Sequence, residues 1–158
     1  MKRTAGLLLF RTDADGLLRV LIAHMGGPFW AAKDERAWTV PKGEYVDGEE
    51  PSAAAAREFT EEMGRPPPDG TPADLGTIKL SGGKRFTVFA LESDFDAADI
   101  ASNLFEMEWP RGSGRIGSYP EVDRAAWFDI ATARTKLTAG QEPVLDILLE
   151  HVARGMAS

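Results

Sequence analysis

The sequence predicts an α+β or α/β sandwich, in which a mixed β-sheet lies between helices. Three features of the 158-residue chain support this class: several short apolar stretches, one alanine-rich helical stretch near the middle, and an amphipathic stretch close to the end. The length fits one domain by the usual prior of about 150 residues per domain. Hydrophobic residues make up 43% of the chain, which is ordinary for a globular protein with a packed core.

The first part of the chain is expected to form strands. Residues 5–11 and 17–24 are apolar and rich in strand-forming side chains, and the turn sequence at 13–16 separates them. Residues 37–40 form a further short apolar run, which Pro41 ends. Three strands are therefore expected before the first helix.

The clearest helix is predicted at residues 50–63. Pro51 suits the first turn, where its missing N–H costs no hydrogen bond. The four alanines at 53–56 favour a helix, and Gly64 is a natural stop.

The second half is predicted to contain more strands and a terminal helix. The loops are expected at 65–74, which holds four prolines, and at 110–120, while 96–103 has no assignment. The strands are expected at 75–80, 85–92, 105–109 and 125–129, and an amphipathic helix at 144–153.

Composition excludes several kinds of site. The formal charge is −7, and duplex nucleic-acid binding is disfavoured because it needs a basic face to displace counterions. The chain has no cysteine, which excludes disulfides, thiolate metal sites and a cysteine nucleophile and fits a reducing cytoplasm. No apolar run approaches the ~20 residues that cross a bilayer. We therefore expect a cytoplasmic protein with no membrane partner.

Three glutamates are predicted to share one face of the central helix. At 100° per residue, Glu61 and Glu62 lie about 60° and 40° to either side of Glu58, while Phe59 and Met63 point toward a core. Like charges at this spacing each cost about 0.2–0.5 kcal/mol, and acidic groups near a helix C-terminus oppose its dipole. A divalent cation such as Mg²⁺ or Mn²⁺ would reverse both penalties, whereas the plainer alternative is a solvated acidic surface.

The wider pattern around these glutamates resembles the signature of the Nudix hydrolases, GX5EX7REUXEEXGU, where U is a bulky apolar residue. The run AGLLLF and the run WTVPKGE before the helix are also similar to the family. The last U position departs from the signature, since Arg65 stands there. The residues that match are Gly43, Glu49, Arg57, Glu58, Phe59, Glu61, Glu62 and Gly64.

The resemblance implies a fold, an organisation and a metal site. The fold would be a Nudix-type α-β-α sandwich with a central mixed β-sheet, and residues 1–158 would form a single Nudix domain. Arg57 matches the arginine that pairs with the earlier glutamate, here Glu49. The implied metal ligands are Glu58, Glu61, Glu62 and the backbone carbonyl of Lys42.

A further glutamate is expected on a late loop, because several family members use one six residues before a strand tryptophan. Glu121 precedes Trp127 by that interval, and Glu106 and Glu108 compete with it. We expect Glu121 to be an additional metal ligand or the general base. Glu61 is the other candidate for the base.

The activity implied is Mg²⁺-dependent hydrolysis of a diphosphate linkage in a nucleoside diphosphate joined to another moiety: an NTP, a dinucleoside polyphosphate or a nucleotide sugar. Positive charge for the phosphates is expected from Lys42, Lys84, Arg85, Arg111 and Arg115. Phe29, Trp30 and Trp38 could stack on a base or pack in the core.

The alternative function is a non-catalytic Nudix-fold sensor of a nucleotide or other ligand. Such sensors usually lose the signature carboxylates, and here all of them are present. A calcium-binding module is a third possibility, but the chain lacks the spaced aspartates and glycine of that loop. The expected partner is a small phosphorylated molecule, and the oligomeric state stays open.

Overall fold

The structure is a computed structural model that describes residues 2–157. It contains nine strands, three α-helices and two short 3₁₀ turns within those residues. The strands are β1 Arg3–Thr12, β2 Leu18–Met25, β3 Trp38–Thr39, β4 Lys42–Tyr45, β5 Ala73–Lys79, β6 Arg85–Glu92, β7 Leu104–Glu108, β8 Ile116–Pro120 and β9 Val122–Asp129. The helices are α1 Pro51–Met63, α2 Ile130–Lys136 and α3 Pro143–Ala157, with 3₁₀ turns at Ser81–Gly83 and Ala139–Gln141.

The main sheet has seven strands and is mixed. Its order is β3-β2-β1-β6-β5, with β4 paired to β1 and β9 paired to β2. β1 and β6 run parallel, whereas the other pairs in this sheet are antiparallel. β7 and β8 form a separate two-stranded sheet. The predicted mixed sheet is confirmed.

Both faces of this sheet are covered, as the alternation along β1 shows. Leu7 and Leu9 belong to the core beneath α1, and Leu8 and Phe10 belong to the core beneath α2 and α3. Because neighbouring strand residues point to opposite faces, one continuous apolar strand supplies both cores. The α-β-α sandwich is therefore confirmed.

Three predictions about local elements were wrong or incomplete. The expected loop at 110–120 ends in β8, because Tyr119 pairs with Phe105 across a hairpin. β4 forms after Pro41, where no strand was predicted, since β1 offers it an antiparallel edge. α2 was not predicted. The side chain of Asp129 caps it by accepting a hydrogen bond from the backbone N–H of Thr132 at 2.9 Å.

Helix α1 matches its prediction closely. Phe59 and Met63 are fully buried, and Gly64 ends the helix in the left-handed conformation at φ 78°. Arg65, which replaces the apolar residue of the signature, lays its guanidinium over the Phe95 ring at 4.2 Å. Phe95 in turn meets the edge of Phe59. A cation–π contact thus fills the position of the missing apolar contact.

Among the described residues, none of the helices has the length and apolar character needed to cross a membrane.

Candidate active site

A cavity of about 430 Å³ lies beside the outward face of α1. It opens between α1, strand β4 and the segments that precede β7 and β9. Five of its lining residues are glutamates, so its walls are strongly acidic. The lining residues are Lys42, Gly43, Glu44, Glu58, Glu61, Glu62, Asn103 and Glu121. We call it the carboxylate cavity.

The helix places its three glutamates as the wheel predicted. Glu58, Glu61 and Glu62 all line the carboxylate cavity, whereas Phe59 and Met63 are fully buried in the core beneath the helix. The amphipathic division of α1 therefore separates a packing face from an acidic one.

Glu62 is the most deeply buried of these carboxylates, with 9% of its surface exposed. Its Oε1 accepts a hydrogen bond from the backbone N–H of Lys42 at 3.2 Å. Burial raises the pKa of the Glu62 carboxyl to about 8, the charge of Lys42 opposes this, and the charges of Glu121 and Glu58 add to it. The ionised form of Glu62 is thus costly, and more positive charge in the cavity would stabilise it.

Arg57 holds the loop before α1 to the helix. Its Nε and Nη2 donate to the two carboxylate oxygens of Glu49 at 2.9 and 3.1 Å, a bidentate pair. Its Nη1 donates to Glu58 at 2.7 Å and to Glu61 at 3.2 Å. These bonds lower the pKa of Glu49. Burial raises the pKa of Glu58, while Arg57 counteracts it.

Gly43 allows Glu58 to approach the backbone of β4. A Cβ at this position would lie 2.0 Å from the carboxyl carbon of Glu58. Any larger residue would therefore push that carboxylate out of its place, which gives the first glycine of the signature a steric reason.

Glu121 reaches the carboxylate cavity through a chain of backbone hydrogen bonds. The N–H of Asn103 donates to the carbonyl of Glu61 at 2.8 Å, and the N–H of Glu121 donates to the carbonyl of Asn103 at 2.9 Å. The carbonyl of Glu121 accepts from Gly26 at 2.9 Å. The segment around Asn103 thus joins the late loop to the end of α1.

The two competitors of Glu121 lie elsewhere. Glu106 and Glu108 are exposed on β7 and do not line the carboxylate cavity. Glu108 accepts a hydrogen bond from the backbone N–H of Gly112 at 2.6 Å, within the turn of its hairpin. Of the three late glutamates, only Glu121 has a place beside the helix.

Comparison with known protein families agrees with this geometry. The model of the NUDIX domain matches residues 1–148. The chain belongs to the Nudix family. The resemblance is thereby confirmed, and so is the predicted class of enzyme, a Nudix pyrophosphohydrolase. No curated protein sequence matches the chain.

Solved structures share this Nudix fold at low sequence identity. A Caenorhabditis elegans Ap4A hydrolase in a binary complex is 19% identical and has a TM-score of 0.65, over 97% of this chain and 98% of that one. The NUDIX domain of Shewanella oneidensis NrtR, in complex with ADP ribose, is 18% identical with a TM-score of 0.62, over 95% and 87% of the two chains. A mutT/nudix family protein from Listeria innocua is 16% identical with a TM-score of 0.65, over 99% and 96%.

The donor set of this Nudix site suits a hard divalent cation. Carboxylate and carbonyl oxygens are the ligands that Mg²⁺ and Mn²⁺ prefer. Among residues 2–157, no three acidic or histidine side chains already stand in an arrangement that would hold an ion. The Arg57 guanidinium forms an ion pair with one oxygen of Glu58 and one oxygen of Glu61. Glu62 and Glu121 make no ion pair with a described residue. The oxygen donors fit such a metal ion, and the positive charge of the ion would stabilise the ionised form of the buried Glu62.

The predicted phosphate-binding cations are spread over the structure. Lys42 lines the carboxylate cavity, and Lys84 lines a neighbouring one. Arg85 begins β6. Arg111 and Arg115 are exposed in the segment between β7 and β8 and line neither the carboxylate cavity nor the cavity beside Lys84. The structure therefore brings Lys42 to the glutamates and does not bring these two arginines to them.

Of the aromatic candidates for stacking, Trp38 belongs to the core. It is 3% exposed, and its Nε1 donates to Asp34 at 2.9 Å. Phe29 is 46% exposed, and the ammonium of Lys33 lies over its ring at 3.7 Å. Trp30 packs its ring against the edge of Phe29. Of the three aromatic candidates only Phe29 is exposed, because Trp30 is half-buried against the core.

Sequence analysis missed two residues that line the carboxylate cavity. Glu44 follows the first signature glycine, and its position in the run WTVPKGE was a usable signal. Asn103 lies in the stretch at 96–103 that had no assignment, and no motif marked it. Its place depends on backbone bonds between distant segments, which composition does not encode.

Proposed function

We propose that the protein is a Mg²⁺-dependent hydrolase of a diphosphate linkage in a nucleoside diphosphate joined to another moiety. The substrate classes in question are NTPs, dinucleoside polyphosphates and nucleotide sugars, and Mn²⁺ is a possible substitute for Mg²⁺. The observation that carries the proposal is the carboxylate cavity, where five glutamates from three segments of the chain meet. Nudix membership supports the reaction type in general.

The metal would be held by the carboxylates of Glu58, Glu61 and Glu62 and the backbone carbonyl of Lys42. When bound, a magnesium ion supplies positive charge against the phosphate oxygens and activates a water. The buried carboxylate of Glu62 gains most from this charge, because its ionised form is otherwise disfavoured.

The chain's own groups do the remaining work. Glu61 or Glu121 accepts the proton of the attacking water as general base. Arg57 keeps the loop and the helix in register, because it bonds Glu49, Glu58 and Glu61 at once. It is thus placed to position the ligands.

The ammonium of Lys42 supplies charge to the substrate phosphates beside the glutamates. Lys84, Arg85, Arg111 and Arg115 stay predictions as further phosphate contacts, and the two loop arginines need movement of the β7–β8 turn to take part. The single domain over residues 1–158 and the cytoplasmic location likewise stay predictions.

The test is a panel of substrates incubated with Mg²⁺, with release of phosphate or nucleotide measured. The panel contains nucleoside triphosphates, dinucleoside polyphosphates, nucleotide sugars and ADP-ribose, since similar structures carry the names of Ap4A hydrolase and of an ADP ribose complex. Glu62→Gln is expected to abolish turnover. Glu50→Gln is the matched control, because Glu50 is an exposed residue that precedes α1 and its side chain caps nothing.

Two results would count against the proposal. Absence of turnover on the whole panel, with Glu62→Gln behaving like the wild type, would end it. Tight binding of one panel compound without hydrolysis would favour the non-catalytic sensor instead.

A further inference from the structure

A second cavity adjoins the carboxylate cavity and shares Lys42 with it. Its volume is about 230 Å³. It opens between the end of β2, strands β3 and β4, the turn after β5 and the 3₁₀ turn before α3. The lining residues are Met25, Thr39, Lys42, Leu80, Ser81, Lys84, Thr138, Gly140 and Gln141. We call it the lysine cavity.

The charge of the lysine cavity is opposite to that of its neighbour. Lys42 and Lys84 line it, and no acidic residue does. Within the described part of the chain, neither ammonium has a carboxylate within 4 Å, although most arginines of this acidic protein are paired. Two unpaired cations beside one opening favour an anionic ligand.

The floor of the lysine cavity is polar and fixed. Gln141 is 3% exposed, its Oε1 accepts from the backbone N–H of Val40 at 2.8 Å, and its Nε2 donates to the hydroxyl of Thr39 at 2.9 Å. An amide nitrogen carries two hydrogens, so one remains for a ligand. The hydroxyls of Ser81 and Thr138 add further donors. Hydrogen-bond donors combined with cations match the oxygens of a phosphate group.

We propose that the lysine cavity binds a further phosphate group of the substrate, beyond the two phosphates joined by the scissile linkage. This inference rests on the proposed function, because it assumes that the cleaved diphosphate lies in the carboxylate cavity. Lys42 lies between the two cavities and contacts the polyphosphate of the substrate where it passes from one cavity to the other. Lys84 is the residue that selects for the additional phosphate. The favoured substrates are therefore those with longer polyphosphate chains.

The first experiment compares dinucleoside polyphosphates with two, three, four and five phosphates under saturating Mg²⁺. In the wild type, kcat/KM is expected to rise as the chain lengthens beyond two phosphates. In Lys84→Ala the loss of kcat/KM relative to the wild type is expected to grow with phosphate number. It is expected to reach about tenfold for the longer compounds, through a higher KM, which is the scale of one charge-assisted phosphate contact. Lys84→Arg keeps the charge and is expected to restore most of the preference.

Lys79→Ala is the matched control. Lys79 is an exposed lysine on the adjacent strand β5, and it does not line the lysine cavity. Its removal changes the net charge equally, so a general charge effect would reduce the kcat/KM of both variants alike. The preference for longer chains is expected to survive in this variant.

A second measurement does not depend on turnover. Inorganic tripolyphosphate is titrated into each protein in the presence of Mg²⁺, and heat is recorded by calorimetry at low temperature. Binding is expected to be about tenfold weaker in Lys84→Ala than in the wild type and in Lys79→Ala.

The outcomes separate this inference from the proposed function. If the wild type hydrolyses neither these compounds nor any other member of the substrate panel, the proposed function fails, and the tripolyphosphate titration still decides whether the lysine cavity binds phosphate. If hydrolysis occurs with the same kcat/KM at every length, or if Lys84→Ala matches Lys79→Ala, the inference is overturned. An equal loss at every length in Lys84→Ala would also overturn it, since Lys84 would then not distinguish the additional phosphate.

Discussion

Helices α1 and α3 pack on opposite faces of the same sheet, and they differ in how their charged residues are placed relative to the helix dipole. α3 has Asp146 in its first turn and Arg154 in its last turn, both of which complement the helix dipole. α1 has no acidic residue in its first turn and no basic residue in its last, and Glu61 and Glu62 lie near its C-terminus. α3 is therefore arranged for stability, whereas α1 gives up stability to concentrate negative charge.

The packing of the two helices differs in the same direction. α3 buries Val144, Leu145 and Leu148 in the core. α1 buries Phe59 and Met63, along with small alanines and the carboxylate of Glu62. Locally unfavourable choices of this kind are expected where a protein carries its function. The comparison predicts that substitutions on α1 act on activity and those on α3 act on stability.

The largest effect is expected from Glu62→Gln. The amide keeps the shape but removes a charge from the proposed metal site, so kcat on the substrate found in the panel is expected to fall on the order of 10³-fold. The midpoint of thermal unfolding without metal is expected to stay the same or to rise, because the amide does not carry the cost of burying an ionisable carboxyl whose pKa is raised. A variant that loses activity only because it unfolds would contradict this division of roles.

Leu148→Ala is the counterpart on α3. Leu148 is fully buried, and its truncation is expected to lower the free energy of unfolding by about 3 kcal/mol, measured by urea denaturation. The kcat/KM of the folded variant, measured well below its melting temperature, is expected to stay within about twofold of the wild type. Leu149→Ala, at a position with 37% exposure, serves as control with a smaller loss. A large fall in kcat for folded Leu148→Ala would link the two faces.

Gly43→Ala acts on α1 from the neighbouring strand. The new Cβ meets the end of the flexible Glu58 side chain, so the carboxylate moves while the fold persists. A misplaced reacting group costs about 10²-fold in rate, and we expect kcat to fall on that scale with little change in unfolding. Gly48→Ala is a steric control with open space around it, although its φ of 91° costs stability. Equal kcat for Gly43→Ala and the wild type would show that Glu58 need not lie there.

Metal binding should appear as stabilisation of the α1 side. At ten times its dissociation constant, Mg²⁺ is expected to add about 1.4 kcal/mol to the free energy of unfolding of the wild type. Glu62→Gln is expected to lose this gain, whereas Leu148→Ala is expected to keep it. Thermal unfolding with increasing MgCl₂, against NaCl of equal ionic strength, measures the difference. A gain of equal size in Glu62→Gln would place the ion elsewhere.

The difference between the helices also explains what the sequence could predict. The sequence was enough to predict that Glu58, Glu61 and Glu62 share one face of α1. Each residue of a helix is rotated by about 100° from the one before it, so these angles are fixed locally. Leu7 and Leu8 lie in one apolar run, and the sequence did not show that they belong to different cores. This became clear only from the structure, where helices cover both faces of the sheet.

The rest depends on contacts between distant segments. Glu121 comes beside α1 through the carbonyl of Asn103, a backbone link that no side-chain pattern encodes. Strand β8 was missed because its pairing with β7, rather than its own composition, makes it a strand. Arg111 and Arg115 were predicted to bind phosphate from their charge alone. Charge does not show where the hairpin of β7 and β8 lies relative to the glutamates.

The smallest effect is expected at Asp129, which caps α2 on the same side as α3. Hydrogen bonds from the side chain and the backbone of Thr132 hold the pKa of this carboxyl below its ordinary value of 3.8. A carboxyl with a lowered pKa in the folded state stabilises the protein above its ordinary pKa, and this contribution is lost as the pH falls through the lowered value. Asp129→Asn keeps a capping oxygen without the charge, so its stability is expected to decline less steeply than that of the wild type as the pH falls below about 4. Urea unfolding at several pH values measures the two slopes, with Asp69→Asn, an exposed loop residue, as control. Parallel slopes for wild type and Asp129→Asn would mean that the cap works through its shape alone, and the contrast in charge design would then be confined to α1 and α3.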